Sequence, residues 1–267
     1  MLSEITLGQF FPGNSLLHRL DPRTKLVLLF AYIVTLFLFS SPGAYAVYTA
    51  LAVVLACCAG ISWQMLLKSL KPIWWIVLFT FGMQLLSVPG EVIYQAGFLS
   101  ITWEGVRQGL FLSLRLILLI LLSSLLMFTT SPLSLTEALE RLLGPLKKIG
   151  LPAHELALMM TIALRFVPTL IMETDKIMKA QQARGSDFSS GSILQRAKKI
   201  VPILVPLFIS AFRRADELAM AMEARCYHGS EGRTRMKKLV LQPIDYVAAA
   251  GGVCLLVLAG LMSYAGV

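Results

Sequence analysis

A chain of 267 residues that is 57% hydrophobic and only 15% charged, with a mean hydropathy of +0.74, has the composition of a membrane protein and not of a water-soluble domain. Its net charge of +9 is concentrated, since 17 of the 24 Lys and Arg residues lie between Arg141 and Lys238. Inner loops of membrane proteins carry such an excess, so the segment reads as cytoplasmic and nucleic-acid binding is set aside.

The first 25 residues lack the basic start and short apolar core of a cleaved signal peptide, so the first span is expected to be retained. A span needs about 20 mainly apolar residues. Four candidates precede the basic segment: Leu26–Ser40, Ala44–Ile61, Pro72–Val88 and Gln108–Thr130. A fifth, Tyr246–Tyr264, follows it. Turn signals at Ser41-Pro42-Gly43, Pro89-Gly90 and Ser131-Pro132 separate them. Arg19, Arg23 and Lys25 flank the first span, and Lys68 and Lys71 lie between the second and third. The other two connections are almost free of Lys and Arg. This asymmetry places the N-terminus and the basic segment inside and the C-terminus outside. Arg115, near the outer end of the fourth span, is expected to snorkel to the interface.

Between the fourth and fifth spans lie two more apolar runs, Leu156–Met172 and Ile200–Phe212. Arg165 sits inside the first and would cost about 2.5–3.5 kcal/mol at a helix centre in the bilayer. The second is short and holds Pro202 and Pro206. If both crossed, their connection would carry Lys176, Lys179, Arg184, Arg196, Lys198 and Lys199 outside, against the charge rule. The segment is therefore expected to form cytoplasmic helices, about Leu135–Leu146, His154–Arg184 and Ile193–Arg225, with Pro168 a kink. The fold class is then an all-α integral membrane protein with five transmembrane helices and a cytoplasmic coupling subdomain. Its parts are residues 1–131 with four spans, 132–241 with the coupling helices, and 242–267 with the last span.

Within this segment one pattern occurs twice, 41 positions apart: DKIMKAQQAR at Asp175–Arg184 and DELAMAMEAR at Asp216–Arg225. Both read D-x-[IL]-x-x-A-x-x-A-R. The alanines, three apart, form a small-residue patch on one helix face. Each arginine closes a helix, where a cation is favoured by the dipole. A single copy would be an ordinary cap, but a cap has no reason to repeat its ten-residue context. Two equivalent arginines suit two docking points on a two-lobed partner, and a guanidinium at an interface centre can contribute about 2 kcal/mol or more. Gly185 is a natural residue beyond a helix end, whereas Cys226 is not, so the second helix is expected to run a turn further, towards Gly229. Asp175 and Asp216 are candidates for pairing with basic residues on an adjacent helix, and Arg213 and Arg214 for bracing the pair.

The chain resembles the T component (EcfT) of energy-coupling factor transporters, importers of vitamins and transition-metal ions. The resemblance covers nearly the whole length. It rests on SLLHRLDPRTKL (Ser15–Leu26), TTSPLSLTEALERLLGPLKKIGLP (Thr129–Pro152), IALRFVPTL (Ile162–Leu170), AQQARG (Ala180–Gly185), RRADELAMAMEARCY (Arg213–Tyr227) and RTR (Arg233–Arg235). Its Ala-Arg-Gly signatures fall at Ala183-Arg184-Gly185 and, with Cys for Gly, at Ala224-Arg225-Cys226. The resemblance implies a multi-pass scaffold of the bacterial cell membrane. It also implies docking of the two arginines into two ATP-binding subunits (EcfA and EcfA′), and a membrane-embedded S component that captures substrate. Cofactors are then none, with ATP bound by the partners.

Two alternatives from other classes are weaker. A membrane-embedded enzyme finds no support in His18, His154 and His228, which are isolated, nor in any Walker-type loop or G-x-S-x-G serine. A stand-alone transporter of the ion-coupled kind usually carries acids within its spans, and these five hold none. The four cysteines match no zinc or redox spacing, so no metal site is expected.

Overall fold

The computed structural model describes residues 10–96, 99–145, 150, 152–186, 193–229 and 240–264. The Arg233–Arg235 run and the expected helix end at Leu146 lie outside the described residues. The elements are α1 (Leu16–Arg19), α2 (Pro22–Leu38), α3 (Pro42–Ala59), α4 (Trp63–Leu70), a 3-10 turn (Lys71–Ile73), α5 (Trp74–Ser87), β1 (Val92–Ala96), β2 (Leu99–Thr102), α6 (Trp103–Thr129), α7 (Pro132–Leu143), α8 (Ala153–Ala183), α9 (Ile193–Glu223) and α10 (Pro243–Tyr264). They divide into two compact units: Gly8–Ala138 with Lys238–Val267, and Leu139–Lys237 with Met1–Leu7.

The helices of the first unit begin where capping chemistry places them. Asp21 accepts from the Arg23 amide ahead of Pro22, and Ser41 caps Ala44 ahead of Pro42. α3 ends on Gly60, whose φ of +66° is left-handed. Thr102 caps α6 through Gly105, and its hydroxyl also donates to the Val88 carbonyl at 2.7 Å.

The core of this unit is built on one stripe of α3: Ala44, Tyr45, Tyr48, Ala52, Ala56 and Ala59. Against it pack Tyr32 and Leu36 of α2, Leu118, Leu122, Leu125 and Phe128 of α6, and Ala259 of α10. Alanines at four-residue spacing let neighbouring backbones approach, the usual way helices associate in lipid. Gly105, Gly109 and Ser113 give α6 a second such face, also buried. A Cβ on Gly105 would stand 2.9 Å from the Gln84 carbonyl oxygen of α5. Outward-facing residues are apolar instead, among them Phe30, Trp75, Phe79 and Val247, each at least 70% exposed. Such a surface is solvated by lipid.

Five helical stretches are long and apolar enough to cross a membrane: α3, the continuous Trp63–Ser87 stretch, α6, α8 and α10. The all-α membrane fold and the number of such helices agree with expectation, while the membership differs. α2 has only 17 residues, because Pro22 and the Ser41-Pro42 turn bound it closely. α8 qualifies by its 31 residues and its apolar stretch, despite the exposed Arg165. The third span starts earlier than expected, so Lys68 and Lys71 lie on its helical stretch and not in a loop.

A further difference concerns the connection after α5. β1 and β2 pair antiparallel, with Tyr94 opposite Ile101 and a bulge between Val92 and Tyr94. Arg115 finds its partners on other elements, one of them in the α2–α3 turn. Its guanidinium donates to the Tyr45 hydroxyl at 2.9 Å and to Ser40 Oγ at 3.1 Å, and lies 5.1 Å from the Phe37 ring centre. Hydroxyls and an aromatic face from α2, α3 and their turn hold the charge against the bundle.

Candidate functional site

Both copies of the repeated decapeptide end in the same backbone turn. In the first, the Gly185 amide donates to the Gln182 carbonyl at 2.9 Å and the Ser186 amide to Gln181 at 3.0 Å. In the second, the Cys226 amide donates to Glu223 at 2.8 Å and the Tyr227 amide to Met222 at 3.1 Å. These are the two bonds of a Schellman motif, with Arg184 and Arg225 in the cap position. Gly185 has φ +90° and Cys226 φ +55°. The expected overrun of the second helix towards Gly229 does not occur. α9 stops at the same register as α8, because Cys226 takes up the left-handed conformation that Gly185 adopts without a Cβ penalty.

The side chains at these ends are open. Arg184 and Arg225 are exposed, as are Ala180, Ala183, Ala221 and Ala224. Neither guanidinium forms a hydrogen bond or ion pair among the described residues. Asp175 is half-buried and Asp216 exposed, and neither joins an ion pair among the described residues. Each tip therefore presents a cation beside a shallow patch of methyl groups, a surface that a groove with carbonyl or carboxylate acceptors would fit.

What joins α8 to α9 is Arg214, expected to brace the pair, and Glu173, which the sequence had not singled out. Arg214 donates to Glu173 at 2.7 Å. Glu173 and Arg214 occupy the same repeat position, each two residues before the motif's aspartate and eleven before its arginine. The bridge thus links equivalent points of the two copies. Gln181 of α8 also reaches the Pro202 carbonyl of α9, at 3.4 Å. Since 173 lies beside 214 and 181 beside 202, the helices run in opposite directions. Eleven residues of helix are about 16 Å, so the two arginines lie on opposite sides of the bridge, equally far along each helix. Arg213, one residue from Arg214, is exposed and takes no part.

The remaining chemistry of this unit is structural. His154 Nδ1 lies 2.8 Å from Glu140 Oε1, tying α8 to α7. No group of three or more His, Cys, Asp or Glu residues placed to hold a metal occurs among the described residues. The cysteines are Cys57, Cys58, Cys226 and Cys254, all exposed and unpaired.

Apolar membrane-length helices in one unit, and two long antiparallel helices ending in matched cationic tips in the other, define a polytopic membrane protein. Comparison with known proteins specifies which kind. The family described as CbiQ, cobalt transport protein, matches residues 13–236. Proteins named energy-coupling factor transporter transmembrane protein EcfT are similar over almost the entire length. The one from Acidaminococcus fermentans is 55% identical, covering 99% of this chain and 97% of its own. Those from Ruminiclostridium cellulolyticum and Bacillus subtilis are 51% and 50% identical, each covering 99% of both chains. The chain belongs to this family, the transmembrane components of energy-coupling factor transporters.

Proposed function

We propose that this chain is the scaffold and coupling subunit of an importer for vitamins or other micronutrients, and that it performs no bond chemistry itself. Two ATP-binding subunits hydrolyse ATP, and each receives one of the arginine tips. A separate membrane-embedded S component binds the substrate, and the paired helices pass ATPase motion to it. The observation that carries this reading is the matched Schellman ends of α8 and α9, each offering an exposed arginine unpaired among the described residues. A chain with one such end needs one partner; two in register suit a pair of related subunits.

Family membership and the names of the relatives support the same assignment. α8 and α9 then belong on the cytoplasmic side, with the N-terminus inside, the C-terminus outside, and the bacterial cell membrane as location. The exposed Arg165 on α8 and the basic character of residues 141–238 support that placement. α9 also leaves Val201, Val205, Phe208, Ile209 and Phe212 exposed at helical spacing. That face is the surface offered to the S component.

The test is charge reversal at both tips. Arg184→Glu with Arg225→Glu is expected to abolish ATP-coupled uptake and co-purification of the ATPases while the chain still inserts. Full uptake together with retained ATPase association in the double variant would overturn the assignment.

A further inference from the structure

We infer that the first unit holds one anionic phospholipid, its phosphate at Lys25 and Arg19 and one acyl chain in the apolar cavity between α2, α3, α6 and α10. That cavity has a volume of about 320 Å³ and is walled by Leu28, Leu29, Leu55, Leu122, Leu126 and Leu255 among others. It is large enough to bury a sizeable part of a small ligand. A polypeptide helix is about 10 Å wide with its side chains, so the space suits a single hydrocarbon chain and not a partner helix. Val54, which also lines it, is 56% exposed, so the cavity borders the lipid-facing surface.

Beside it lies a polar chamber of about 410 Å³, lined by His18, Arg19, Asp21, Thr130, Gln242 and Asp245 among others. Leu20, Lys25 and Thr129 line both spaces, so they meet at Lys25. The Lys25 ammonium donates to the Thr129 carbonyl and the Thr130 hydroxyl, each at 3.0 Å. Both acceptors are neutral. The two nearby carboxylates attract the ammonium through space but bond other donors: Asp21 the Arg23 side chain and amide, and Asp245 the amides of Asp21 and Gln242, both at 2.7 Å. Arg19 is exposed and unpaired among the described residues. A cation on neutral acceptors, a second free cation and an apolar slot leading away together match a phosphodiester headgroup with its tail. Basic pockets between membrane helices on the cytoplasmic side bind such headgroups.

One more detail fits an occupant of the slot. Gly251 lines it, and a Cβ there would meet nothing within 4 Å, so the wall has been left low.

Placing Lys25 at the inner leaflet rests on the orientation proposed above, but occupancy does not. The full chain, purified in mild detergent and exchanged against equal amounts of phosphatidylglycerol and phosphatidylcholine, is examined by native mass spectrometry. One tightly held lipid per chain is expected, with phosphatidylglycerol preferred. Lys25→Met should reduce that preference roughly fivefold, the weight of one lysine near an anionic surface. Gly251→Phe should fill the slot and expel both lipids. Ala248→Leu, on the same wall, serves as the second variant, and thermal melting identifies which variants are folded. A wild-type chain that carries no stoichiometric lipid, or folded wall variants that hold it undiminished, would overturn the inference. An unchanged headgroup preference in Lys25→Met would overturn the assignment of the phosphate. Because no ATPase is needed, failure here is distinguishable from failure of the coupling proposal, which is read by uptake.

Discussion

The two helix ends make a matched pair of experiments, because the same turn is built once with glycine and once without. Gly185→Ala adds a Cβ at φ +90° where nothing lies within 4 Å. Its cost is therefore purely conformational, about 1–2 kcal/mol for a residue with a side chain in the left-handed region. Part of that is offset by the lower entropy of the unfolded alanine chain, leaving about 1 kcal/mol. Cys226→Gly runs in reverse, removing a similar strain at φ +55°. One kcal/mol is about a fivefold change in a local opening equilibrium. The amides to watch are those that close the motifs, Ser186 onto Gln181 and Tyr227 onto Met222. Hydrogen exchange followed by mass spectrometry should find Ser186 exchanging about fivefold faster in Gly185→Ala, and Tyr227 about fivefold slower in Cys226→Gly. Unchanged exchange in both, or shifts of the same sign, would refute the idea that the two ends are one motif under different strain.

Other expectations follow from contacts described above. A double-mutant cycle between Glu173→Gln and Arg214→Met, read by thermal melting, should give a coupling of roughly 0.5–1 kcal/mol, limited because both side chains are partly exposed. Zero coupling would leave the bridge without an energetic role. Gly105→Leu drives a side chain against the Gln84 carbonyl, which cannot move without its helix. It should cost about 1–3 kcal/mol, visible as a lower melting temperature, while Gly82→Ala, facing open space, should not. Asp245→Ala orphans the buried amide of Asp21, at about 1–3 kcal/mol, and the more exposed amide of Gln242, at less. Asp245→Asn should recover part of that loss, and equal melting of the Ala and Asn variants would contradict the role given to the carboxylate.

Much of the architecture was legible because it is local. The Ser41-Pro42 turn signal falls where the structure begins α3, while Asp21 starts α2 at Pro22, ahead of the expected Leu26. The bounds of α8 and α9 fall within two residues of those predicted, since the repeated motif carries its own stop. The misses are tertiary. Cys226 looks like a poor terminator when judged by residue type, and only its register with Gly185 reveals the left-handed turn. Arg214 was expected to brace the pair, but its partner Glu173 escaped notice for the same reason: it lies outside the decapeptide, yet extending the alignment by two positions pairs them. The partners of Arg115 were not legible, since the hydroxyls of Tyr45 and Ser40 come from other elements. The β1–β2 pairing was hidden by flanking turn residues that announce a loop equally well.

Placement of the prolines gives α8 and α9 a mechanical character. Pro168 on α8 and Pro202 and Pro206 on α9 all lie upstream of the Glu173–Arg214 bridge. The stretches beyond it, 174–184 and 215–225, hold neither proline nor glycine. Such helix is stiff, and bending is concentrated where a proline interrupts the hydrogen-bond ladder. The pair is thus two rigid levers of equal length about one pivot, with their compliance kept behind it. Force applied at either arginine arrives at the pivot undiminished, and any give in the system is taken up on the far side.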